Sequence, residues 1–438
     1  MLPGNFYLWL ILSTYVLIQL FKYLLDWLNI RHMQAHGGSV PSEFEGVVDP
    51  AFLKKSQDYL IDQTKLSTAE SAFMSLAIII FFFGGLLDLY NSWVAGLNLS
   101  FLVSGWVFFI LLSLAEQVLS IPFNLFNVFK LERRYGFSTT TARLWLLDLI
   151  KELAISSVIL SFITCAGLWL IGRSPDYWWL WFWAVMFSFS MVITYISPYV
   201  IEPLFNRFTP LEDENLRQQI TGLAGKAGIN ARKVLKMDAS KRTKHSNAYF
   251  TGLGKAKRIV LFDTLLQGTG HGEILAVLAH EIGHWKSRHL LKSLLVFQAA
   301  SFAGLYLLFR LTQTGLLTSL FRIKADTFLS RVTVAIFLGG MLLFLLHPIM
   351  MAFTRRMEKE ADRLSFELIH GADDLISALV KLSKDNLSNP YPHPLYVTFH
   401  YSHPPVLERI RALREAESHG SWGTGQGSWQ FNRETDFG

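Results

Sequence analysis

Residues 277–289 read VLAHEIGHWKSRH and contain the pentapeptide HEIGH at positions 280–284. In an α-helix, residues four apart share one face, so His280 and His284 can direct two imidazoles at one metal ion. Glu281 lies one position round the helix, close enough to accept a proton from a water molecule at the metal. This is the HExxH arrangement of zinc hydrolases. The alternative is a helix with two polar surface histidines, and a third ligand decides between the two interpretations.

The composition indicates a membrane protein. Of the 438 residues, 51% are hydrophobic and only 17% are charged, and there are 35 Phe and 13 Trp. Such a chain needs lipid as part of its solvent. The formal net charge is +6, but the basic residues lie between apolar segments and form no nucleic-acid patch. The single cysteine, Cys165, excludes an intrachain disulfide and a thiolate zinc site.

Seven apolar stretches are long enough to cross a bilayer as helices. They cover residues 6–28, 72–90, 97–119, 149–171, 178–200, 290–311 and 332–353. The first has no basic residue before it and no cleavage site after it, so we predict a retained anchor. Between the spans we predict a solvated connector helix over residues 49–65 and a loop over residues 120–148.

The spans divide the chain into five predicted regions. Spans one to five with their loops occupy residues 1–200, and a zinc protease segment follows over 201–289. Spans six and seven occupy 290–353, the remaining part of the protease domain 354–414, and a disordered tail rich in Gly and Ser 415–438.

The distribution of basic residues predicts the orientation in the membrane. Loops on one side hold Arg173, Arg322 and Lys324 and little else that is basic, whereas those on the other side are richer in Lys and Arg. The positive-inside rule therefore places the zinc motif and the C-terminus in the cytosol. The membrane would be the bacterial cell membrane or, in a eukaryote, the endoplasmic reticulum membrane.

A third ligand is predicted just after the seventh span, where residues 354–370 read TRRMEKEADRLSFELIH. Glu358 and Asp362 are four apart and share a helix face. One can bind the metal while the other accepts a hydrogen bond from a ligand imidazole. Without the upstream motif, a charged helix face would be the simpler interpretation. Two histidines and one carboxylate leave the fourth zinc position open, as catalytic sites require.

Several motifs resemble the CAAX prenyl protease type I family of membrane-embedded zinc proteases. They are HEIGHW, RRMEKEAD and YSHPPVLERIRAL, with IPFNLFNVFKLERRYGF, IEPLFNRFTPL and HSNAYFTGLG in the family's order. The resemblance covers nearly the whole chain except the Gly-rich tail. The shorter HtpX-type proteases share the HExxH and ExxxD helices, but the loop motifs and seven spans favour the prenyl protease branch.

The resemblance implies a mainly α-helical, polytopic membrane protein. About seven transmembrane helices would form a barrel around a large water-filled chamber. A gluzincin-like zinc domain would cap the chamber, built from the HExxH helix, the ExxxD helix and a small β-hairpin. It would hold one Zn²⁺ per chain.

The resemblance also implies roles for particular residues. Glu358 would be the third ligand, and Asp362 would support a ligand imidazole. Glu360 stands where the family is commonly uncharged, and this departure makes it the rival ligand. His403, in the SHPP motif, would point into the site and steady the oxyanion of the tetrahedral intermediate, while Arg409 would help to shape that region. The alternative for His403 is a surface histidine before a Pro-Pro turn.

Residues 245–262, HSNAYFTGLGKAKRIVLF, read as a β-hairpin with strands near 247–251 and 258–262. In proteases of this kind an edge strand pairs with the extended substrate. The resemblance makes Asn247, Ala248 and Tyr249 the candidate substrate-binding residues. For Tyr249 a purely structural role in the hairpin is the alternative.

The implied function is zinc-dependent removal of the C-terminal tripeptide from prenylated CAAX proteins, with Glu281 as the group that moves the proton. Two alternatives remain open. One is a broad membrane quality-control protease of the HtpX kind, which needs no prenyl group on its polypeptide substrate. The other is a catalytically dead zinc-binding transporter or scaffold. No oligomeric state is predicted.

Overall fold

The computed structural model describes residues 4–229, 231–251, 257–420 and 422. Within these residues, seven helices are long and apolar enough to cross a membrane, as predicted. The seven helices are α1 (Gly4–His36), α2 (Pro50–Phe83), α4 (Phe101–Phe126), α6 (Ala142–Arg173), α7 (Trp178–Ile196), α12 (His289–Thr312) and α14 (Phe328–Ile369). The chain is therefore a mainly helical, multi-pass membrane protein.

The remaining helices and the strands are shorter. The helices are α3 (Leu86–Gly96), α5 (Glu132–Tyr135), α8 (Glu202–Phe205), α9 (Glu214–Lys226), α10 (Asp263–Gly268), α11 (His271–Lys286), α13 (Leu316–Leu320), α15 (Asp373–Asp385), α16 (Pro394–His400) and α17 (Val406–Ser418). The strands are β1 (Phe208–Pro210), β2 (Ala231–Met237), β3 (Ala248–Thr251) and β4 (Lys257–Phe262).

The predicted connector helix and second span form one continuous helix, α2. It begins after Asp49, whose side chain accepts a 2.6 Å hydrogen bond from the backbone N–H of Phe52. It ends at Gly84, and Gly85 adopts a left-handed φ of +85° before α3 begins. The predicted span end at residue 90 is wrong because this glycine pair turns the chain within an apolar run.

The predicted loop over residues 120–148 is also largely helical. Helix α4 continues through Pro122, and a π-helical turn over Asn127–Leu131 carries the chain into α5. Membrane helices tolerate such a proline because neighbouring groups and local π adjustments satisfy the freed carbonyl. Helix α6 then begins at Ala142, where the Thr141 side chain accepts a hydrogen bond from a backbone N–H of the first turn.

The predicted hairpin is present, but it is half of a four-stranded sheet with the order β1-β2-β4-β3. Strands β3 and β4 pair antiparallel, and β2 pairs with β4 in parallel. Residues 252–256, which include the predicted turn, lie outside the described residues. The sheet packs Ile259 and Leu261 against Ile274 and Leu278 of α11, which fixes the hairpin next to the HExxH helix.

Helices α11 and α14 cross at close range, and this crossing positions the site. Helix α14 is 42 residues long and carries the last membrane span directly into the ExxxD segment. A Cβ atom added at Gly283 of α11 would lie 2.9 Å from the Cα and O atoms of Ala361 of α14. Only glycine at this position permits the two backbones to approach so closely.

The predicted disordered tail starts too early. Helix α17 extends to Ser418, because Leu407, Ile410 and Leu413 bury an apolar stripe against the core. Residues 415–418 are therefore helical. Residue 421 and residues 423–438 lie outside the described residues.

Candidate active site

Two histidines of α11 and one glutamate of α14 form a compact group of possible metal ligands. The Nε2 atoms of His280 and His284 lie 3.2 Å apart. Glu358 approaches His280 with Oε2 at 3.3 Å and His284 with Oε1 at 3.2 Å. A tetrahedral zinc ion with bonds of about 2.0–2.2 Å separates its ligand atoms by about 3.3–3.6 Å. The three side chains are therefore spaced as zinc ligands are.

An unsatisfied oxygen supports the same interpretation. Oε2 of Glu358 is buried, and although Nε2 of His280 and Nε2 of His403 each lie 3.3 Å from it, neither forms a hydrogen bond with it. A buried carboxylate oxygen without a partner is costly unless something else, such as a metal ion, satisfies it. The donor set thus fits a zinc ion both by its chemistry and by its spacing.

Glu360, the predicted rival ligand, lies outside this group. Its Oε2 is 3.0 Å from Nε2 of His289 and 3.4 Å from Nζ of Lys292, and its side chain is 44% exposed. The reason is helical geometry, since a residue two positions after Glu358 is rotated about 200° round the axis of α14.

His280 is held on its other side by a buried ionic pair. Its Nδ1 lies 2.8 Å from Oδ1 of Asp362, one turn along α14 from Glu358. Arg409 of α17 donates to both oxygens of Asp362, with N···O distances of 2.6 and 2.8 Å. This bidentate pair fixes the carboxylate, and the carboxylate in turn fixes the orientation of the imidazole.

His284 has a different partner, His289, which sequence reasoning missed. The two Nδ1 atoms lie 2.9 Å apart, and Nε2 of His289 then meets Glu360. His289 begins α12 and is buried despite its polarity. Its position at the end of the VLAHEIGHWKSRH stretch was the only sequence signal, and the turn at Arg288 that folds it back could not be read from spacing.

A cavity of about 280 Å³ lies beside the possible ligands. Its lining includes most of the residues predicted for the site: Asn247, Ala248, His280, Glu281, His403 and Arg409. It also includes Asn386 of the loop after α15, which sequence reasoning did not identify. The cavity thus joins the HExxH helix, the start of β3 and the SHPP motif.

Two side chains in this cavity have electrostatics suited to proton chemistry. Burial raises the pKa of Glu281 above its usual value, although the neighbouring histidines oppose the shift. The protein atoms around the His403 ring partly desolvate it and lower its pKa, against the opposing effect of the Glu358 carboxylate, even though 59% of the side chain is exposed. Nε2 of His403 is 3.3 Å from Oε2 of Glu358, and its Nδ1 is 2.9 Å from the Ser402 hydroxyl.

Tyr249 does not join the cavity. Its hydroxyl donates a 2.9 Å hydrogen bond to Oε2 of Glu202, on the opposite side of the sheet. Successive side chains of a strand point to opposite faces, so burying Ala248 beside the cavity turns Tyr249 away from it. The structure therefore favours the structural alternative for this residue.

Comparison with known proteins gives matches over almost the whole chain. Residues 29–207 match the sequence model described as CAAX prenyl protease N-terminal, five membrane helices, and residues 210–417 match Peptidase family M48. The CAAX prenyl protease 1 homolog of Mus musculus is 32% identical, over 86% of this chain and 89% of its own length. That of Arabidopsis thaliana is 39% identical, over 68% of this chain and 70% of its own. The crystal structure of S. mikatae Ste24p superposes with a TM-score of 0.85 at 29% identity, covering 94% of this chain and 99% of that one.

Proposed function

Because the chain belongs to peptidase family M48, the membrane zinc metallopeptidases that include the CAAX prenyl proteases, we propose that it removes the C-terminal tripeptide from prenylated CAAX polypeptides. One observation carries this proposal. His280, which forms a compact group with His284 and Glu358, lines the same cavity as Glu281 and the start of an edge strand.

His280, His284 and Glu358 would hold one zinc ion per chain. When bound, zinc polarises a peptide carbonyl and lowers the pKa of water toward 7. Asp362 would keep the proton of His280 on Nδ1, which leaves the Nε2 lone pair available to bind the metal. Arg409 compensates the charge of Asp362 in this buried position.

Glu281 would act as general base and then as general acid. Its carboxylate lines the cavity, where it can accept a proton from the attacking water and return it to the nitrogen of the leaving amine. Burial raises the pKa of Glu281 toward the pH at which the enzyme works. Such a pKa suits a group that must both accept and release a proton.

His403 would stabilise the developing oxyanion. If the Ser402 hydroxyl donates to Nδ1, the ring proton resides on Nε2, which is the nitrogen nearest Glu358. A neutral imidazole can then donate a hydrogen bond to the oxygen of the tetrahedral intermediate.

Strand β3 offers a place for the substrate backbone. It is the last strand of the sheet, and no described strand pairs with its outer edge. An extended peptide can add to such an edge through main-chain hydrogen bonds. Asn247 and Ala248 at the start of β3 line the cavity, so a bound peptide would run toward Glu281.

The proposal includes an orientation and a route. The richer Lys and Arg content of the loops on the catalytic side supports a cytosolic location for this side. The substrate would enter a chamber between the membrane helices, with its prenyl chain in an apolar environment.

The test compares two peptides that end in the same CAAX box, one farnesylated and one not. Purified full-length protein is incubated with each, and the products are identified by mass spectrometry. We expect loss of the last three residues, sensitive to chelation, from the farnesylated peptide only. Equal cleavage of both would replace the proposed substrate with a broader one.

Variants separate metal binding from proton transfer. Glu281→Gln should bind zinc normally but lose at least about 10²-fold in turnover, the usual contribution of a general base. His284→Ala should lose both zinc and turnover. Zinc-dependent cleavage retained by Glu281→Gln would contradict the role assigned to Glu281.

A further inference from the structure

A second recess, separate from the catalytic cavity, lies where α6 and α7 leave the membrane. It has a volume of about 760 Å³. Four of its ten lining residues are basic, namely Lys151, Arg207, Lys241 and Arg258, and only Asp238 is acidic. None of them is one of the possible metal ligands or one of the side chains that hold those ligands in place.

The charge pattern of the two helices places this recess at the depth of the lipid headgroups. In α6, residues 153–172 contain no Asp, Glu, Lys or Arg, and at about 1.5 Å per residue they span about 30 Å. Lys151 comes just before this stretch. After Asp176 the next charged residue is Glu202, so the segment that follows α7 emerges at the same level.

Two of the cations are held in fixed positions. Arg258 donates from Nη1 to the Pro198 carbonyl at 2.5 Å, and its guanidinium lies 5.0 Å from the ring centre of Tyr199. Its Nε is buried without a hydrogen bond to any described group. Lys151 donates from Nζ to the Leu204 carbonyl at 2.8 Å, and its Nζ also lies 3.4 Å from Oδ1 of Asp148. These contacts hold both charges in place without neutralising Arg258.

The other two cations, Arg207 and Lys241, are accessible to a ligand. The side chains of Arg207 and Lys241 are exposed, and within the described part of the chain neither has a carboxylate partner. The acid, Asp238, instead accepts a 2.6 Å hydrogen bond from the backbone N–H of Arg207. Arg207, Lys241 and Arg258 are therefore three cations of the recess that no carboxylate pairs with among the described residues, whereas Lys151 is paired with Asp148.

We propose that this recess binds the phosphate-bearing headgroup of an anionic membrane lipid. Basic pockets beside membrane helices on the cytosolic side bind such headgroups. The segment next to the recess also exposes Tyr199, Val200 and Leu204, which are 49%, 54% and 48% exposed. These apolar side chains provide a surface for the acyl chains, which a soluble phosphate would not use.

The experiment titrates delipidated full-length protein in neutral detergent with a short-chain phosphatidylserine, a short-chain phosphatidylcholine and inorganic phosphate. Binding is followed by thermophoresis. We expect saturable binding of phosphatidylserine alone. Equal binding of phosphatidylcholine, or equally tight binding of inorganic phosphate, would overturn the assignment to an anionic lipid.

The double variant Arg207→Gln/Lys241→Gln should bind phosphatidylserine at least about tenfold more weakly, because each surface cation contributes severalfold. The matched control is Lys54→Gln/Lys55→Gln, which removes the same charge from exposed positions of α2 on the same side. Equal affinities in both double variants would refute the site. Zinc content and a single size-exclusion peak confirm folding, and neither depends on which peptide the enzyme cleaves.

Discussion

The imidazoles of the two possible metal ligands, His280 and His284, have different surroundings. His280 contacts a buried ionic pair, in which the Asp362 side chain is 3% and the Arg409 side chain 12% exposed. His284 contacts His289, and the contacts continue to Glu360 and Lys292, whose side chains are 44% and 48% exposed. One side is therefore sealed within three packed helices and the other ends in solvent.

This difference indicates that the two sides contribute differently to the site. A buried ion pair is costly to form and more costly to break, because the remaining charge cannot be solvated. An exposed pair is weakened by water and contributes little. The contacts of His280 should therefore determine the geometry of the site, whereas the contacts of His284 should have a smaller effect on zinc affinity.

Asp362→Ala should have the largest effect, because it breaks the buried side. It leaves Arg409 charged without its main partner and removes the acceptor from His280. We expect a loss of about 3–5 kcal/mol in the free energy of unfolding and about 10–100-fold weaker zinc binding. Chemical unfolding in detergent and competition with a zinc chelator measure the two. Asp362→Asn, which keeps an acceptor oxygen, is the control and should fall in between.

His289→Ala should have an intermediate effect, because it removes the partner of His284 but leaves no charge buried. Zinc binding should weaken by about tenfold, the lower end of the range for such supporting residues. The same chelator competition measures it. If His289→Ala proved as damaging as Asp362→Ala, the two sides would be equivalent and the contrast would be lost.

Glu360→Gln should have the smallest effect. The ion pair that it breaks, with Lys292, is exposed, and the amide oxygen of Gln can still accept from Nε2 of the buried His289, so the free energy of unfolding should change by less than about 0.5 kcal/mol. Zinc affinity should stay within about twofold of the original. A loss of zinc as large as that caused by Glu358→Gln would instead identify Glu360 as a ligand.

The sequence alone predicted the features that depend on local periodicity. Hydropathy gave seven spans because crossing a bilayer requires about 20 apolar residues in a row. The spacing of His280 and His284, and that of Glu358 and Asp362, follows directly from 3.6 residues per helical turn. These patterns need no knowledge of how distant parts of the chain pack.

What the sequence could not predict depends on tertiary contacts. Strand β1 has three residues and exists only because it pairs with β2, so its own residues carry little signal. The side of the sheet that Tyr249 occupies depends on register, which is set by packing against α11. The positions of His289 and Glu360 depend on how α12 folds back against α14.

The close crossing of α11 and α14 also has a consequence for biosynthesis. His280 and Glu358 are 78 positions apart, and α12 and the membrane-crossing part of α14 lie between them. At about 5–20 residues per second, a ribosome needs roughly 4–16 s to reach the second residue after the first. Until then the nascent chain carries two histidines without their carboxylate. The proposed ligand set can therefore form only after the ribosome has synthesised α12 and the membrane-crossing part of α14, so an unfinished chain that lacks them lacks the proposed zinc site.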